Sequence, residues 1–193
     1  EIELKIPDIL NPRYSYGGGK IASELLTINY LRSTNTRYVI FRPHNVYGPQ
    51  MGFEHVIPEL IGKIYKSSKG LCDKNKKCEI EIQGTGDDTR SFIYIDDAIK
   101  AIELCTIESG DAGIYHIGNI DEKSITDICK LLGKNLKINL KITNTKSPKG
   151  STPRRCPDNR KITELGYKQN IFLDEGIKKT IEWYWNDYKQ KET

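Results

Sequence analysis

The segment Tyr38–Pro49, which has the sequence YVIFRPHNVYGP, decides the fold class of this chain. Its first four residues are β-branched or aromatic and predict a short buried strand. In open α/β sheets, ligands bind outside the carboxyl ends of the strands, where the rest of this segment would lie. Asn45 offers both a hydrogen-bond donor and an acceptor there. An ordinary turn bracketed by proline and glycine has the same composition, so the segment alone leaves both interpretations open.

Helix and strand patterns alternate outward from this segment, which favours an α/β fold. Apolar residues at helical spacing predict helices over residues 15–33, 56–65, 96–108, 124–132 and 174–188. Short apolar or alternating runs predict strands over residues 79–82, 92–95, 114–117 and 136–142. Asp96 is expected to cap one helix and Gly133 to end another. Residues 144–157 contain repeated Pro and Gly and are expected to form a loop.

The composition argues against several classes of protein. The net charge is +4 with the basic residues spread along the chain, so nucleic-acid binding is not expected, whereas an anionic small molecule remains a candidate ligand. No run of about 18 apolar residues predicts a membrane span. Five scattered cysteines argue against a disulfide framework and favour the cytoplasm, and no metal site is expected. The start lacks a methionine and the pattern of a signal peptide, which predicts a piece of a longer chain.

The sequence Tyr16-Gly17-Gly18-Gly19-Lys20 offers acid–base chemistry. Side chains four residues apart lie on the same face of a helix. A free tyrosine has a pKa of about 10, and a neighbouring cation favours the phenolate, so the pair could move a proton at a sugar hydroxyl. Glycines inside a helix are unfavourable, and one reason for them is the close approach of a ligand. A surface pair, or a helix that begins only after Gly19, are the alternatives.

Together these motifs resemble the extended short-chain dehydrogenase/reductase family, which includes nucleotide-sugar epimerases, 4,6-dehydratases and UDP-glucuronate decarboxylases. The resemblance rests on Tyr-x-x-x-Lys followed by Arg-Pro-x-Asn-Val-Tyr-Gly-Pro at residues 42–49. Later stretches are similar to the family in the same order, namely 83–97, 115–119, 155–158 and 165–167. The match therefore extends over nearly the whole chain, although each motif is weak by itself.

The resemblance implies the C-terminal half of a doubly wound, Rossmann-like α/β sheet and a small mixed α/β substrate-binding lobe. Residues 1–48 and about 90–118 would belong to the sheet side, and about 49–89 and 119–193 to the lobe. It also implies a homodimer formed through the helix Tyr16–Ser33.

The resemblance also implies roles for individual residues. Tyr16 would be the catalytic acid/base, and Lys20 would hold the nicotinamide ribose of NAD, or of NADP as the alternative. The backbone at Pro43 and His44 would lie near the nicotinamide. The remaining residues would bind a nucleotide-diphosphate sugar. Asn45, Arg90 and Arg155 would contact its diphosphate, and Asp158 would hydrogen-bond its nucleotide ribose. Arg90 could instead form a surface salt bridge with Asp87 or Asp88, and only one of Arg154 and Arg155 can point inward.

Epimerisation is the first interpretation, because it needs least beyond the tyrosine and the lysine. A 4,6-dehydratase, a UDP-glucuronate decarboxylase and a non-catalytic nucleotide-sugar sensor are the alternatives. The family's Gly-x-x-Gly-x-x-Gly loop, which holds the cofactor pyrophosphate, does not occur in these 193 residues. The chain by itself is therefore expected to bind NAD very weakly and to have no turnover.

Overall fold

The computed structural model describes residues 6, 8–73, 77–109, 112–147 and 151–192 and has mixed α/β architecture. Within these residues the helices are α1 Ser15–Leu31, α2 Val56–Ser68, α3 Ile95–Glu108, α4 Ile125–Leu136, α5 Arg160–Glu164 and α6 Leu173–Lys191. The strands are β1 Tyr38–Pro43, β2 Val46–Tyr47, β3 Lys77–Gln83, β4 Thr89–Ser91, β5 Ile93–Tyr94, β6 Ala112–Ile117, β7 Glu122–Ser124, β8 Asn139–Thr145 and β9 Arg154–Arg155. The predicted α/β class is confirmed.

Parallel pairing dominates the strand arrangement. β1 pairs with β6, β2 with β5, and β3 with β8, all in parallel. β4 lies between antiparallel β7 and parallel β9. Because parallel strands end at the same edge, the register Pro43↔Ile117 brings the segment after β1 beside the segment after β6.

Two clusters of buried apolar side chains support these strands. The first joins α2, β3, α4, β8 and α6, and it includes alternate residues of β3, namely Cys78, Ile80 and Ile82. The second joins α3 and β6 with β5, and Ile162 of α5 and Tyr167 also pack into it. The division of the chain into a sheet side and a substrate lobe remains a proposal.

Three local predictions were wrong. Tyr94, not Asp96, is the N-cap residue of α3, and Asp96 lies in the first turn. α4 continues through Gly133 to Leu136 and ends at Lys137, which has a left-handed φ of 55°. A Cβ on Gly133 would lie 3.0 Å from Leu140 Cδ1, so this glycine allows α4 to pack closely on β8. The third error is the loop over residues 144–157, because β8 continues to Thr145 and β9 follows at Arg154–Arg155. Residues 148–150 of that prediction lie outside the described residues.

Asp97 fastens α3 to the segment that precedes α6. Its side chain is completely buried. It accepts hydrogen bonds from the backbone N–H groups of Asn170 at 3.0 Å and Ile171 at 2.8 Å, and from Asn170 Nδ2 at 3.2 Å. A buried carboxylate requires such donors, because desolvation of an unpaired charge is costly. The position in the first turn of α3 adds a favourable interaction with the helix dipole.

We expect Asp97→Ala to lower the free energy of unfolding by about 3 kcal/mol, because it removes three hydrogen bonds to a fully buried carboxylate. The matched control is Asp96→Ala, which removes an exposed carboxylate from the same turn and should cost at most about 1 kcal/mol. Urea unfolding monitored by circular dichroism measures both values. Equal losses in the two variants would show that the buried hydrogen bonds contribute little.

Candidate active site

Tyr16 and Lys20 lie on one face of a continuous helix. α1 begins at Ser15 and passes through all three glycines without interruption, so the alternative of a helix that begins after Gly19 is wrong. Lys20 Nζ lies 5.4 Å from the centroid of the Tyr16 ring. The Tyr16 side chain is 76% exposed, which leaves its hydroxyl accessible to a ligand. The two side chains therefore share one exposed helical face, as the predicted acid–base pair requires.

Gly17 and Gly19 leave the surface between Tyr16 and Lys20 open. A Cβ added at Gly17 or Gly19 would meet no heavy atom within 4 Å, and one at Gly18 would meet the side chain of Ile6 at 3.2 Å. No side chain of α1, all of whose residues are described, is buried. The hydroxyl and ammonium groups on this open face suit the hydroxyls of a ribose, so the residues present fit the nicotinamide-ribose end of NAD.

Glu24 links this helix to the sheet, and the sequence analysis missed it. It accepts two hydrogen bonds from Arg42 of β1, from Nε to Oε1 at 2.8 Å and from Nη2 to Oε2 at 2.6 Å. These bonds hold the pKa of the Glu24 carboxyl below its usual value. Glu24 follows Tyr16 and Lys20 at a spacing of four residues, and this repeat is the signal that could have revealed it.

His44 and Asn45 follow β1 and are fastened to neighbouring strands. The backbone N–H of His44 donates to the carbonyl of Ile117 at 2.9 Å. Asn45 adopts a left-handed φ of 41°, and its Nδ2 donates to the carbonyl of Ser91 at 2.9 Å. Asparagine tolerates this backbone region better than most residues. The Asn45 side chain therefore reaches β4, the strand that carries Arg90.

The imidazoles of His44 and His116 contact each other across β1 and β6. His44 Nε2 lies 2.7 Å from His116 Nδ1. Burial is the main cause that lowers the pKa of His44 to about 4, and it also lowers the pKa of His116. His116, which lies in the predicted strand 114–117, therefore contacts a predicted cofactor-side residue.

Two arginines occupy paired positions on neighbouring strands. Arg90 of β4 is the register partner of Arg155 of β9. Arg90 also forms the expected alternative salt bridge with Asp88, at 3.3 Å, and it donates to the carbonyls of Thr89 and Pro153. Arg154 donates to Glu122 through Nε and Nη2. Because adjacent residues of a strand point to opposite faces, Arg155 and Arg154 diverge.

Asp158 follows β9 closely and lies beside a cation. It accepts hydrogen bonds from the backbone N–H of Arg160 at 3.0 Å and from Arg160 Nη2 at 2.5 Å. These bonds lower the pKa of Asp158 to about 2, so the group is a carboxylate at neutral pH. Arg90 and Arg155 are thus register partners, Asn45 bonds the residue after Arg90, and Asp158 follows β9 in the chain.

A cleft of about 120 Å³ opens beside Arg90. Its walls combine apolar side chains with polar ones: Val56, Leu60, Ile82 and Ile125, with Glu59, Lys63, Gln83, Asp88, Arg90 and Ser151. Six of these ten residues are polar or charged, so the cleft suits a polar ligand rather than an apolar one.

Comparison with known proteins identifies the family. The model of the NAD dependent epimerase/dehydratase family matches residues 2–118, more than half of the chain. The chain belongs to this family. The dTDP-D-glucose 4,6-dehydratase of Bos taurus is 35% identical over 185 residues, which cover 90% of this chain and 48% of that protein. The chain spans about half or less of the length of the curated relatives it matches.

Solved structures of epimerase/dehydratase proteins share the fold. UDP-glucuronic acid 4-epimerase from Bacillus cereus, in complex with UDP-glucuronic acid and NAD, is 25% identical with a TM-score of 0.80. The match covers 97% of this chain and 57% of that one. UDP-glucose 4-epimerase from Thermotoga maritima is 22% identical with a TM-score of 0.79, covering 96% and 60% of the two chains. The Rossmann-like assignment is thereby confirmed. None of the helices in the described part of this family member has the length and apolar character of a membrane span.

The Arg42–Glu24 pair should contribute measurably to the attachment of α1. In a double-mutant cycle with Glu24→Gln and Arg42→Met, we expect a coupling energy of about 1.5 kcal/mol, because both hydrogen bonds are charged and their side chains are largely covered. The exposed pair Glu175–Lys179, treated in the same way, should give a smaller coupling. Chemical unfolding of the four variants in each cycle provides the values. A coupling near zero for Arg42–Glu24 would contradict this role.

Proposed function

We propose that this chain is the substrate-binding and acid–base part of an NAD-dependent enzyme that oxidises and reduces one carbon of a nucleotide-diphosphate sugar, with epimerisation as the first candidate reaction. The observation that carries the proposal is the Tyr16–Lys20 pair on an open helical face. Its link to the sheet through Glu24 and Arg42 supports the same interpretation.

Tyr16 supplies the proton transfer in this proposal. Tyr16, acting as a phenolate, takes the proton of the reacting sugar hydroxyl, and the ammonium of Lys20 lies on the same helical face. The chemistry that NAD would supply is hydride transfer at the same carbon. Lys20 and the open surface at Gly17 and Gly19 would hold the ribose of the nicotinamide, and the backbone at Pro43 and His44 would lie near the nicotinamide. Return of the hydride to the opposite face would invert the sugar carbon.

The paired arginines supply charge for the diphosphate. Arg90 and Arg155 offer planar forks of N–H donors that suit phosphate oxygens. Asn45 adds a neutral polar group beside them. Asp158 is a carboxylate at neutral pH and can accept hydrogen bonds from the hydroxyls of the nucleotide ribose. The cleft beside Arg90 then accommodates the base.

A 4,6-dehydratase is the second candidate, because the bovine relative with 35% identity carries that name. Both reactions would begin with the same oxidation, in which Tyr16 takes the hydroxyl proton. A non-catalytic nucleotide-sugar sensor would need the two arginines but would not need the Tyr16–Lys20 pair. Because the chain has the pair as well as the arginines, the sensor is the less favoured candidate.

The partner surfaces and the cofactor affinity are also proposals. We propose that a homodimer forms through α1, whose exposed side chains include Leu25, Leu26 and Tyr30. The 193 residues contain no Gly-x-x-Gly-x-x-Gly segment, so we expect them to bind NAD weakly by themselves. We also propose that the protein lies in the cytoplasm, where it would encounter nucleotide sugars.

Binding of UDP-glucose and dTDP-glucose to the 193-residue chain tests the proposed substrate class. We expect Arg155→Ala to raise the Kd for whichever sugar nucleotide binds by about tenfold, because a charged contact to the diphosphate is lost. Arg154→Ala is the matched control, since Glu122 already engages Arg154 on the opposite face. Isothermal titration calorimetry measures the values. An equal loss in both variants, or no binding by the unaltered chain, would contradict the assignment.

The full-length protein tests the catalytic assignment. We expect Tyr16→Phe to lower kcat by at least about a hundredfold with little change in the Kd for the sugar nucleotide, because the phenol is needed for proton transfer and not for binding. The control is Tyr30→Phe, which removes another exposed hydroxyl from the same helix. Turnover is followed by separation of the sugar products. Retained turnover in Tyr16→Phe would exclude Tyr16 as the acid/base.

A further inference from the structure

The contact between His44 and His116 joins the end of β1 to β6 by side chains. His44 Nε2 and His116 Nδ1 are 2.7 Å apart, and the ring centroids are 5.0 Å apart with an interplanar angle of 44°. The His44 backbone N–H also donates to the Ile117 carbonyl of β6. A Cβ on Gly118 would lie 3.1 Å from His44 Cβ, so the glycine permits this close approach. His44 is thus attached to one strand at two points.

Asn45, the residue after His44, connects this attachment to the candidate site. Asn45 has a positive φ, and its side chain bonds β4 beside Arg90. A residue in the left-handed region persists where its surroundings hold it there. The His44–His116 contact and the Asn45–Ser91 bond hold the turn from both sides.

Charged groups from every neighbouring element surround the pair. Arg42 is the register partner of His116 on β1, and Glu24 of α1 binds Arg42. The negative charges of Asp158 and Glu24 favour protonation of His116, whereas the positive charges of Arg42 and Lys161 oppose it. No third His, Cys, Asp or Glu among the described residues joins the pair to make a metal site.

A hydrogen bond between two imidazoles requires one nitrogen to accept. A neutral ring has one donor and one acceptor nitrogen, whereas a protonated ring has two donors. The pair can therefore bond when at least one ring is neutral, and two protonated rings repel each other at this contact.

We propose that His116 is a positioning residue: its imidazole holds His44, and through it the turn at Asn45, in the conformation that binds the sugar nucleotide, and acid releases the turn. The role of Asn45 in this inference rests on the proposed function. The chemistry expected of the ligand is that of a nucleoside-diphosphate sugar.

The direction of the pH dependence follows from the lowered pKa values of both histidines. Folding of the pair favours neutral rings, so its stabilising contribution is complete above pH of about 6.5, the ordinary histidine value. It is lost as the pH falls through the folded-state pKa of His44, about 4. The pKa of Asp158 is about 2, so this carboxylate stays ionised through most of that range.

Two substitutions of His116 separate positioning from packing. His116→Asn keeps a polar atom attached to Cγ, as Nδ1 is, so it can still bond His44 without titrating. His116→Leu fills similar space without that bond. His55→Gln removes the third imidazole and identifies its signals. NMR of the unliganded 193-residue chain follows the imidazoles and the backbone amide of Asn45 from pH 7.5 to about 3, below the His44 pKa of about 4. Calorimetry at pH 7.5 gives the Kd for UDP-glucose and dTDP-glucose.

We expect the Asn45 amide signal of the unaltered chain to move together with the titration of His44. In His116→Leu at pH 7.5, this signal should already lie toward its acid position, and the Kd should rise by about fivefold. His116→Asn should restore the signal and keep the Kd within about twofold of the unaltered value.

The proposal would be overturned if the Asn45 amide signal changed neither with acid nor in His116→Leu. It would also be overturned if the Leu and Asn variants changed this signal and the Kd equally. If His116→Leu does not fold, the titration of the unaltered chain and the Asn variant still decide it. Absence of sugar-nucleotide binding by the unaltered chain would instead count against the proposed function. The Asn45 amide signal would still test the positioning role of His116, because that measurement needs no ligand.

Discussion

The bidentate hydrogen bond between Arg42 and Glu24 is the interaction on which the candidate site depends. α1 contributes no buried side chain in the described structure, so apolar burial gives it little attachment to the rest of the chain. Arg42 lies in β1, which pairs with β6 along its whole length. The ion pair therefore holds α1, which carries Tyr16 and Lys20, against β1, which is followed by His44 and Asn45. A planar guanidinium suits this task because its two bonds define an orientation as well as a distance.

Buried polar groups hold the remaining parts in place. The fully buried Asp97 fastens α3 to the segment before α6. Asn119 follows β6, donates to the carbonyl of Phe92 at 3.1 Å and accepts from the hydroxyl of Tyr167 at 2.7 Å. These contacts connect residues that are far apart in sequence, and each satisfies a group whose burial without a partner would be costly. Apolar packing supplies the bulk of the stability, whereas these bonds determine how the segments meet at the site.

Sequence patterns predicted elements well where periodicity was strong and poorly where packing decided a boundary. The alternation in β3 and the helical spacing in α2 led to correct elements. Gly133 was expected to end α4, but the helix continues, because the missing Cβ serves close packing against Leu140 rather than a left-handed cap. Likewise, β9 is a strand only because β4 lies beside it. Neither the packing distance nor the partner strand can be inferred from local composition.

The sequence by itself determined the α/β class and the candidates Tyr16, Lys20 and Asn45, since residue type and spacing carry that information. The resemblance to the family, also visible in the sequence, implied Arg90, Arg155 and Asp158. Only the tertiary structure decided which of Arg154 and Arg155 is engaged by Glu122, and that Glu24 meets Arg42. It also decided that His116 meets His44 across 72 positions of sequence. The physical reason is that such contacts arise from strand register and from the docking of helices, which depend on the whole folded chain.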